Sequence, residues 1–364
     1  MGIKILRYFF ICIGCIATGV AHAQPFANEY RIALVLPFHS GGYHGSLGEA
    51  MLDYYTGFRM AAEDLEADGL KLQLYVFDSE KDSNALNTTL YHPDLKTMNL
   101  IVGPVYDKEM APTEKFCNLN GSVLISPLKF YKPASEETKI INFYVPDSVR
   151  IASIACKAAN LYPGYKFYLA TDNSTKSKEY LAIMKRQLTK CKIKNSKTLI
   201  YTGAAIGANA LAKDSVVVLS SISSTSAKDV LLTAVNAKKN GILFAHIDWH
   251  NASMSTFEKD EPKLIYPESN FTNPADSAAV RFRTAFMNRT YAEPSKYAYI
   301  GYDQAYYLCL SLMTFGKDFI HHLPDADYRG FINTIHLQNS KCGVQNLGIN
   351  YLQIIEDERR EFKP

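Results

Sequence analysis

The sequence predicts an α/β protein of two lobes, each a parallel sheet covered by helices, and three observations carry that prediction. Short apolar runs with no polar alternation recur along the chain, as strands buried on both faces should read. Each is followed, after a turn, by a segment of helical spacing, and strands alternating with helices make right-handed crossovers in a parallel sheet. The rhythm runs once to about residue 145 and then restarts, so one sheet is expected on each side of that point. At 364 residues the chain is also longer than one compact core usually holds.

The elements follow in order. Tyr30 to Phe38 (YRIALVLPF) is nearly all apolar and opens the first sheet. Met51 to Leu65 has helical spacing, with Leu52, Tyr55, Phe58, Met60, Ala62 and Leu65 as its apolar positions. Leu70 to Phe77 and a run from Leu100 to Val102 are the second and third strands, Val123 to Ser126 the fourth, and Ile140 to Val145 the fifth. The second round reads helix Ser148 to Leu161, strand Lys166 to Thr171, helix Lys178 to Leu188 and strand Val216 to Ser220. Helix Ala227 to Lys238 and strand Ile242 to Ile247 complete it. Two long helices follow, Ala275 to Tyr291 and Tyr299 to Phe315, and Gly343 to Ile355 reads as short strands before a charged tail.

Residues 1–23 stand apart from the fold. Lys4 and Arg7 precede the apolar run Tyr8 to Val20, and Ala21-His22-Ala23 offers small residues for cleavage before Gln24, the pattern of a secretory signal peptide. The run is too short for a membrane span, and no later apolar stretch approaches that length, so the mature chain is expected to be exported and soluble. Cys12 stands where a lipid-attachment motif wants an aliphatic residue, so anchoring at Cys15 is not expected. Loss of Lys4 and Arg7 lowers the formal charge from +3 to +1, and no basic cluster with interleaved aromatics suggests a nucleic-acid surface. Cys117, Cys156, Cys191, Cys309 and Cys342 remain, scattered and odd in number, with neither a disulfide framework nor zinc spacing visible. They are expected as small buried hydrophobes, with one or two bridges open to them in an oxidising compartment.

Nothing in the chain points positively to catalysis. There is no G-x-S-x-G elbow, phosphate-binding loop, G-x-G-x-x-G or H-E-x-x-H, so no enzyme and no cofactor is expected. His246, Asp248 and His250 recur at period two and would share one face of an extended chain, a competent zinc set. His39 and His44 lie in the loop expected to face them. The strand is expected to end near Ile247, which breaks the period, and no metal is assigned.

Six stretches in order carry a resemblance. They are LVLPFHSGG (Leu34 to Gly42), YYTGFRMAAEDL (Tyr54 to Leu65), LYVFDSE with Asp78, LIVGPVYDKE with Gly103-Pro104, LISPL (Leu124 to Leu128), and the long stretch Phe282 to Leu308 with its Gly-Tyr-Asp. Together they resemble the type I periplasmic binding proteins, the family of the leucine/isoleucine/valine-binding proteins, over nearly all of residues 29–320. HIDWHN and YPESNF look most like the Bacteroidetes branch, often described as amino-acid transporter binding proteins. Some relatives there carry a peptidoglycan-binding LysM domain, which this chain is expected to lack. The resemblance implies two Rossmann-like lobes joined by a multi-crossing hinge. Lobe I would take residues 24–145 plus 270–323, and lobe II residues 146–269 plus 324–364.

It also implies a site. Ligands of open α/β sheets bind outside the carboxyl ends of the strands. In lobe I that implicates His39, Ser40, Gly103, Pro104, Val105, Tyr106, Ser126, Leu128 and Tyr302; in lobe II, Asp172, Ser220, Ser221, Asp248 and Trp249. Gly103 would let the backbone approach the ligand, with the next helix aiming its N-terminal amides at an anionic group; a structural strand-to-helix turn is the other reading. Where relatives have a small hydroxyl, this chain has Val105-Tyr106-Asp107, and Leu128-Lys129 replaces a small polar pair. Asp107 reads as a helix cap and Asp303 as a cap or bridge. Trp249, the one Trp of the chain, either stacks on a flat ligand or packs inside lobe II.

The function implied is an exported, non-catalytic solute-binding protein of the periplasm. It would close its lobes on an amino acid, peptide or cell-wall fragment for an ABC transporter in the membrane. The altered loops leave a second reading open: an envelope adaptor that binds a protein partner, resembling the lipoprotein activators of peptidoglycan synthases.

Overall fold

The computed structural model of the protein describes residues 29–39, 45–80, 83–203, 206, 211–251, 263–268, 270–273, 275–325, 327–332, 334–355 and 358–362. The expected signal peptide, Ser40 and His44 lie outside them. Apolar burial organises the chain into two compact units. One draws on the chain up to Tyr144, Pro274–Ile332 and His336–Asn346; the other on Val145–Asn273, Asn333–Ile335 and Leu347–Pro364. The chain therefore passes from one unit to the other several times.

In the first unit β1 (Tyr30–Leu36), β2 (Leu72–Asp78), β3 (Leu100–Val102), β4 (Val123–Ser126) and β5 (Ile140–Asn142) form a parallel array in the order β2-β1-β3-β4-β5. β1 sits between two partners and is buried on both faces, which is why its sequence shows no alternation. Helices α1 (Gly45–Ala67), α2 (Ser83–Leu90) and α3 (Asp107–Asn120) supply the crossovers. α2 was not anticipated: SNALNTTL is mostly polar, and Leu86 and Thr89 are its buried side chains.

The second unit repeats the plan. It contains α4 (Asp147–Leu161), β6 (Lys166–Thr171), α5 (Thr175–Lys190), β7 (Ser196–Ile200), β8 (Val216–Ser220), α6 (Ser226–Asn236), β9 (Gly241–Phe244) and β10 (Lys263–Glu268). β8 lies between β9 and β6 and is wholly buried. β7 and β10 were missed in the sequence. β7 is an edge strand with mostly exposed side chains, and β10 carries Pro267, which argues against a strand when only the sequence is read.

The last quarter returns to the first unit with α7 (Ser277–Thr290), α8 (Lys296–Phe315) and the two-residue strand β11 (Tyr328–Arg329), while the two-residue strand β12 (Thr334–Ile335) falls in the second. Next come β13 (Leu337–Ser340) and β14 (Gly343–Asn346), an antiparallel pair. This corrects the expected boundary, which gave all of 324–364 to the second lobe. β14 pairs parallel with β5, closing that strand's open edge, and Asn142 and Asn346 donate to the carbonyls of Cys342 and Phe143 across the join. Only β15 (Asn350–Ile355) and β16 (Glu358–Glu361) rejoin the second sheet, where β15 runs antiparallel to β10. Among the described residues no helix is long and apolar enough to cross a membrane.

α1 and α8 meet backbone to backbone. A Cβ placed on Gly57 would lie 1.9 Å from the Ala298 carbonyl oxygen, and one on Gly301 would lie 2.1 Å from the Tyr54 carbonyl oxygen. Polar contacts flank this seam: the Tyr54 hydroxyl donates to Gln304 Oε1 at 2.7 Å, and the Ser295 amide donates to Asp53 at 3.0 Å. Gly301→Ala gains about 1 kcal/mol of helix propensity. It also forces two helices apart, and overpacking of this kind costs about 1–3 kcal/mol or more. The clash falls on backbone, so it wins. Gly301→Ala is expected to lower the melting temperature by several degrees in calorimetry; an unchanged or raised value would show that the helices separate freely.

Candidate functional site

Each unit is built from its own strand ends. In the first, β1 runs into Phe38 and His39, and both amides donate to Asp78 Oδ1, at 2.9 and 3.3 Å. The Glu80 amide donates to the same oxygen at 2.9 Å, so one carboxylate at the end of β2 gathers three backbone donors and sets the β1 loop. His39 adopts a left-handed φ of 56° and is half-buried.

Gly103 follows β3 with φ 92°, and a Cβ there would lie 2.2 Å from the Val35 carbonyl oxygen, so only glycine fits. Its bond to Pro104 is cis. Pro104 and Val105 are buried, while Tyr106 is half-buried at the N-cap position of α3. Tyr106 makes no side-chain cap, and neither does Asp107, which lies in the first turn. Asp107 instead pairs with Lys129 at 3.2 Å, an exposed contact of little energetic weight.

Ser126, at the end of β4, is buried, and its hydroxyl donates to the Lys129 carbonyl at 2.7 Å. Leu128 is half-buried beside it. The loop that follows is pinned by Glu114 of α3, which is buried and accepts from the Tyr131 hydroxyl at 2.6 Å, Thr138 at 2.7 Å and the Ala134 amide at 2.9 Å. Burial alone would raise the Glu114 carboxyl, but these donors outweigh it and hold the group below the usual range.

In the second unit, Thr171 at the end of β6 starts a hydroxyl chain. Its Oγ1 lies 2.8 Å from Ser177, which lies 2.7 Å from Ser221, and Ser221 donates to the Ala170 carbonyl at 2.7 Å. Ser220 and Ser221 are fully buried, and Ser220 accepts from the Ile222 amide. Asp172 is half-buried and accepts from the Ser174 amide at 3.0 Å, opening the turn into α5.

β9 stops at Phe244, and Ile247–Asn251 is a short 3-10 helix, so the period-two alignment of His246, Asp248 and His250 does not form. Among the described residues no group of three His, Cys, Asp or Glu side chains is placed to hold a metal ion. Trp249 is wholly buried in the apolar core beside β8, and its indole N–H donates to the Ser224 carbonyl at 3.2 Å. Tyr302 is likewise buried. It lies among Phe282, Tyr306 and Phe331, with its hydroxyl donating to Asp64 at 2.7 Å. Asp303 beside it accepts from the Phe331 and Ile332 amides at 2.7 and 2.9 Å, a bridge that holds the chain where it leaves the first unit.

A charged cluster gathers around His246. Lys176 Nζ lies 3.9 Å from Asp147 and 3.8 Å from Asp248, and Arg150 lies 3.6 Å from Asp147. The Tyr180 hydroxyl donates to Asp147 at 2.9 Å, and its ring packs on the His246 ring at 5.5 Å between centroids. The Asp248 amide donates to His246 Nδ1 at 3.1 Å, so the proton of the neutral ring sits on Nε2. His246 Nε2 and Arg150 Nε are buried with no hydrogen-bond partner among the described residues. Burial pushes the His246 imidazolium down to about 4, with Lys176 and Arg150 adding to the shift and Asp248 and Asp147 opposing it. Of this cluster, sequence reading singled out Asp248 as a ligand residue and weighed His246 for metal. Lys176 and Tyr180, one turn apart on α5, were a legible pair of this kind that went unread.

Neither protein-family models nor curated proteins match the chain. Solved structures do, at low identity. A protein of Rhodospirillum rubrum, assigned as a branched-chain amino acid ABC transporter, aligns at TM-score 0.65 and 11% identity over 92% of this chain and 100% of its own. An ABC transporter substrate-binding protein of Desulfitobacterium hafniense, in complex with leucine, aligns at TM-score 0.52 and 16% identity with the same coverage. The C-domain of LpoA from Haemophilus influenzae, a regulator of PBP1A, aligns at TM-score 0.59 and 11% identity, again over 92% and 100%. The chain shares their α/β fold, with mostly parallel sheets.

Because the unfolded chain takes up a proton near pH 6.5 that the native His246 takes up only near 4, the depressed ring contributes stability above 6.5 that is lost as pH falls toward 4. His246→Asn keeps an acceptor for the Asp248 amide. It is expected to flatten the fall in urea midpoint between pH 6.5 and 4 relative to wild type; parallel slopes would show that the ring titrates normally.

Proposed function

We propose that the chain is a non-catalytic solute-binding protein that takes up a small carboxylate-bearing ligand. The class spans amino acids, short peptides and cell-wall fragments. The observation that carries this reading is the His246 cluster. Two buried donors, His246 Nε2 and Arg150 Nε, lack partners beside Lys176. Buried donors are rarely left unpaired, so the arrangement suits an incoming anionic group, while Asp248 and Asp147 suit the cationic end of a zwitterion. The fold shared with the leucine-bound protein supports the same reading. In the first unit, Gly103 to Tyr106, Leu128 and His39 are the residues assigned to the ligand; in the second, Asp172 and Asp248. The leader pattern in residues 1–23 supports export to the periplasm, and HIDWHN and YPESNF support placement in the Bacteroidetes branch. An ABC transporter is the membrane partner this reading calls for.

A second reading, an adaptor in peptidoglycan metabolism, is favoured by one feature. The Ser126 hydroxyl is committed to the Lys129 carbonyl, and Lys129 to Asp107, in the loops where relatives keep small hydroxyls for ligand.

A thermal-shift panel of amino acids, di- and tripeptides, muropeptides and sugars separates the two. A ligand at about a hundred times its dissociation constant adds about 2.7 kcal/mol. On units of this size that raises the melting temperature by several degrees. Such a rise is expected with at least one carboxylate-bearing compound. No shift across the panel, from a protein that unfolds cooperatively, would overturn solute binding in favour of the adaptor.

A further inference from the structure

Outside the candidate site, two thiols of the second unit lie against each other. Cys156 is in the middle of α4, and Cys191 is the residue that ends α5, its amide donating to the Gln187 carbonyl. Their sulfurs are 3.1 Å apart although the residues are 35 apart in the chain. Gln187 Nε2 also donates to Cys156 Sγ at 2.9 Å, and both cysteines are half-buried. The helices that carry them pack side by side on one face of the second sheet, against Phe167, Leu169 and Val217. Cys117 on α3 and Cys309 on α8 are by contrast wholly buried in the first unit.

We propose that Cys156 and Cys191 form a structural disulfide in the exported protein, tying the end of α5 to the middle of α4. A disulfide needs the sulfurs at about 2.05 Å, so an approach of about 1 Å is required, within reach of small side-chain rotations on packed helices. The oxidant is a disulfide, either of a small molecule such as oxidised glutathione or of a thiol–disulfide oxidoreductase. One cysteine, as its thiolate, attacks a sulfur of that disulfide, forming a mixed disulfide and releasing one thiolate. The second cysteine then attacks the protein sulfur of the mixed disulfide, forming the Cys156–Cys191 bond and expelling the second thiolate. Two cysteine thiols are oxidised by two electrons, the oxidant is reduced to two thiols, and the two protons pass to them. Burial and the Cys156 contact push the Cys191 thiol up to about 11, which suits a bridge formed once during folding rather than a redox-active pair. The bond would restrict the unfolded chain across residues 156–191, the stretch that carries Lys176 and Tyr180 of the charged cluster.

Export supplies the oxidising compartment, so the natural occurrence of the bridge rests on the export reading, while the pairing rests on geometry alone. The test uses protein purified reduced from a cytosolic host, incubated with oxidised glutathione at pH 8.5, alkylated, digested and mapped by mass spectrometry. The expected result is a linked peptide pair containing Cys156 and Cys191, and a melting temperature several degrees above that of the same sample with dithiothreitol. That reductant response should vanish in the Cys156→Ser, Cys191→Ser double variant. Both thiols alkylated, persistent glutathione adducts on either, or linkage only to other cysteines would overturn the pairing. Mapping of wild-type protein decides this even where the double variant fails to fold. A chain recovered reduced after secretion would overturn the bridge in the exported protein, whereas one that pairs with glutathione but is retained in the cytosol of its own cell would keep the pairing and overturn the export reading instead.

Discussion

The structure of the first unit depends on the contact between α1 and α8, where two helices more than two hundred residues apart in sequence touch through Gly57 and Gly301. Side chains of any size there would hold the helices a few ångströms farther apart. Because they sit so close, the Tyr54 hydroxyl can donate to the Gln304 side-chain oxygen, and the Gln304 amide nitrogen can donate to the Pro127 carbonyl at 2.9 Å. That second bond places the loop after β4, where Ser126 and Leu128 lie. The next residue along α8, Asp303, takes the amides of Phe331 and Ile332 and so anchors the chain before it crosses to the second unit. One helix therefore positions both a candidate binding loop and a crossing, and it does so because its other face is glycine.

The two units arrange the polar groups near their strand ends differently. In the first, two carboxylates gather the donors of the strand-end loops, although the Ser79 hydroxyl after β2 is buried without a hydrogen-bond partner among the described residues. Asp78 collects three amides, and Glu114 collects two hydroxyls and an amide. Carboxylates saturated in this manner rigidify a loop, and the donors on buried Glu114 hold it below the usual range. In the second unit the cluster around His246 carries opposite charges in near balance but leaves two buried donors unpaired. Unpaired buried donors cost stability of the order of 1–3 kcal/mol each. The ligand reading rests on the second unit because there the two unpaired donors stand beside the Lys176 ammonium.

What the sequence determined by itself was the architecture. Uninterrupted apolar runs such as YRIALVL and VVVLS have one comfortable environment, a strand covered on both faces, and their alternation with amphipathic segments leaves a parallel sheet as the answer. Gly103 was legible for a similar local reason, because a strand stopping at Gly-Pro needs a backbone that other residues resist, and its φ of 92° against the Val35 carbonyl is that constraint. The tertiary structure decided what depends on distant partners. β7 and β10 are strands because a neighbour offers them an edge, and β14 belongs to the first sheet because β5 was open. Trp249 could have faced a ligand or the core on sequence grounds; a 3-10 turn and the Ser224 carbonyl place it inside. The charged cluster draws Asp147 from α4, Lys176 from α5 and His246 from the loop after β9, and side chains that far apart in the chain acquire a common chemistry only once those helices have packed on the paired strands.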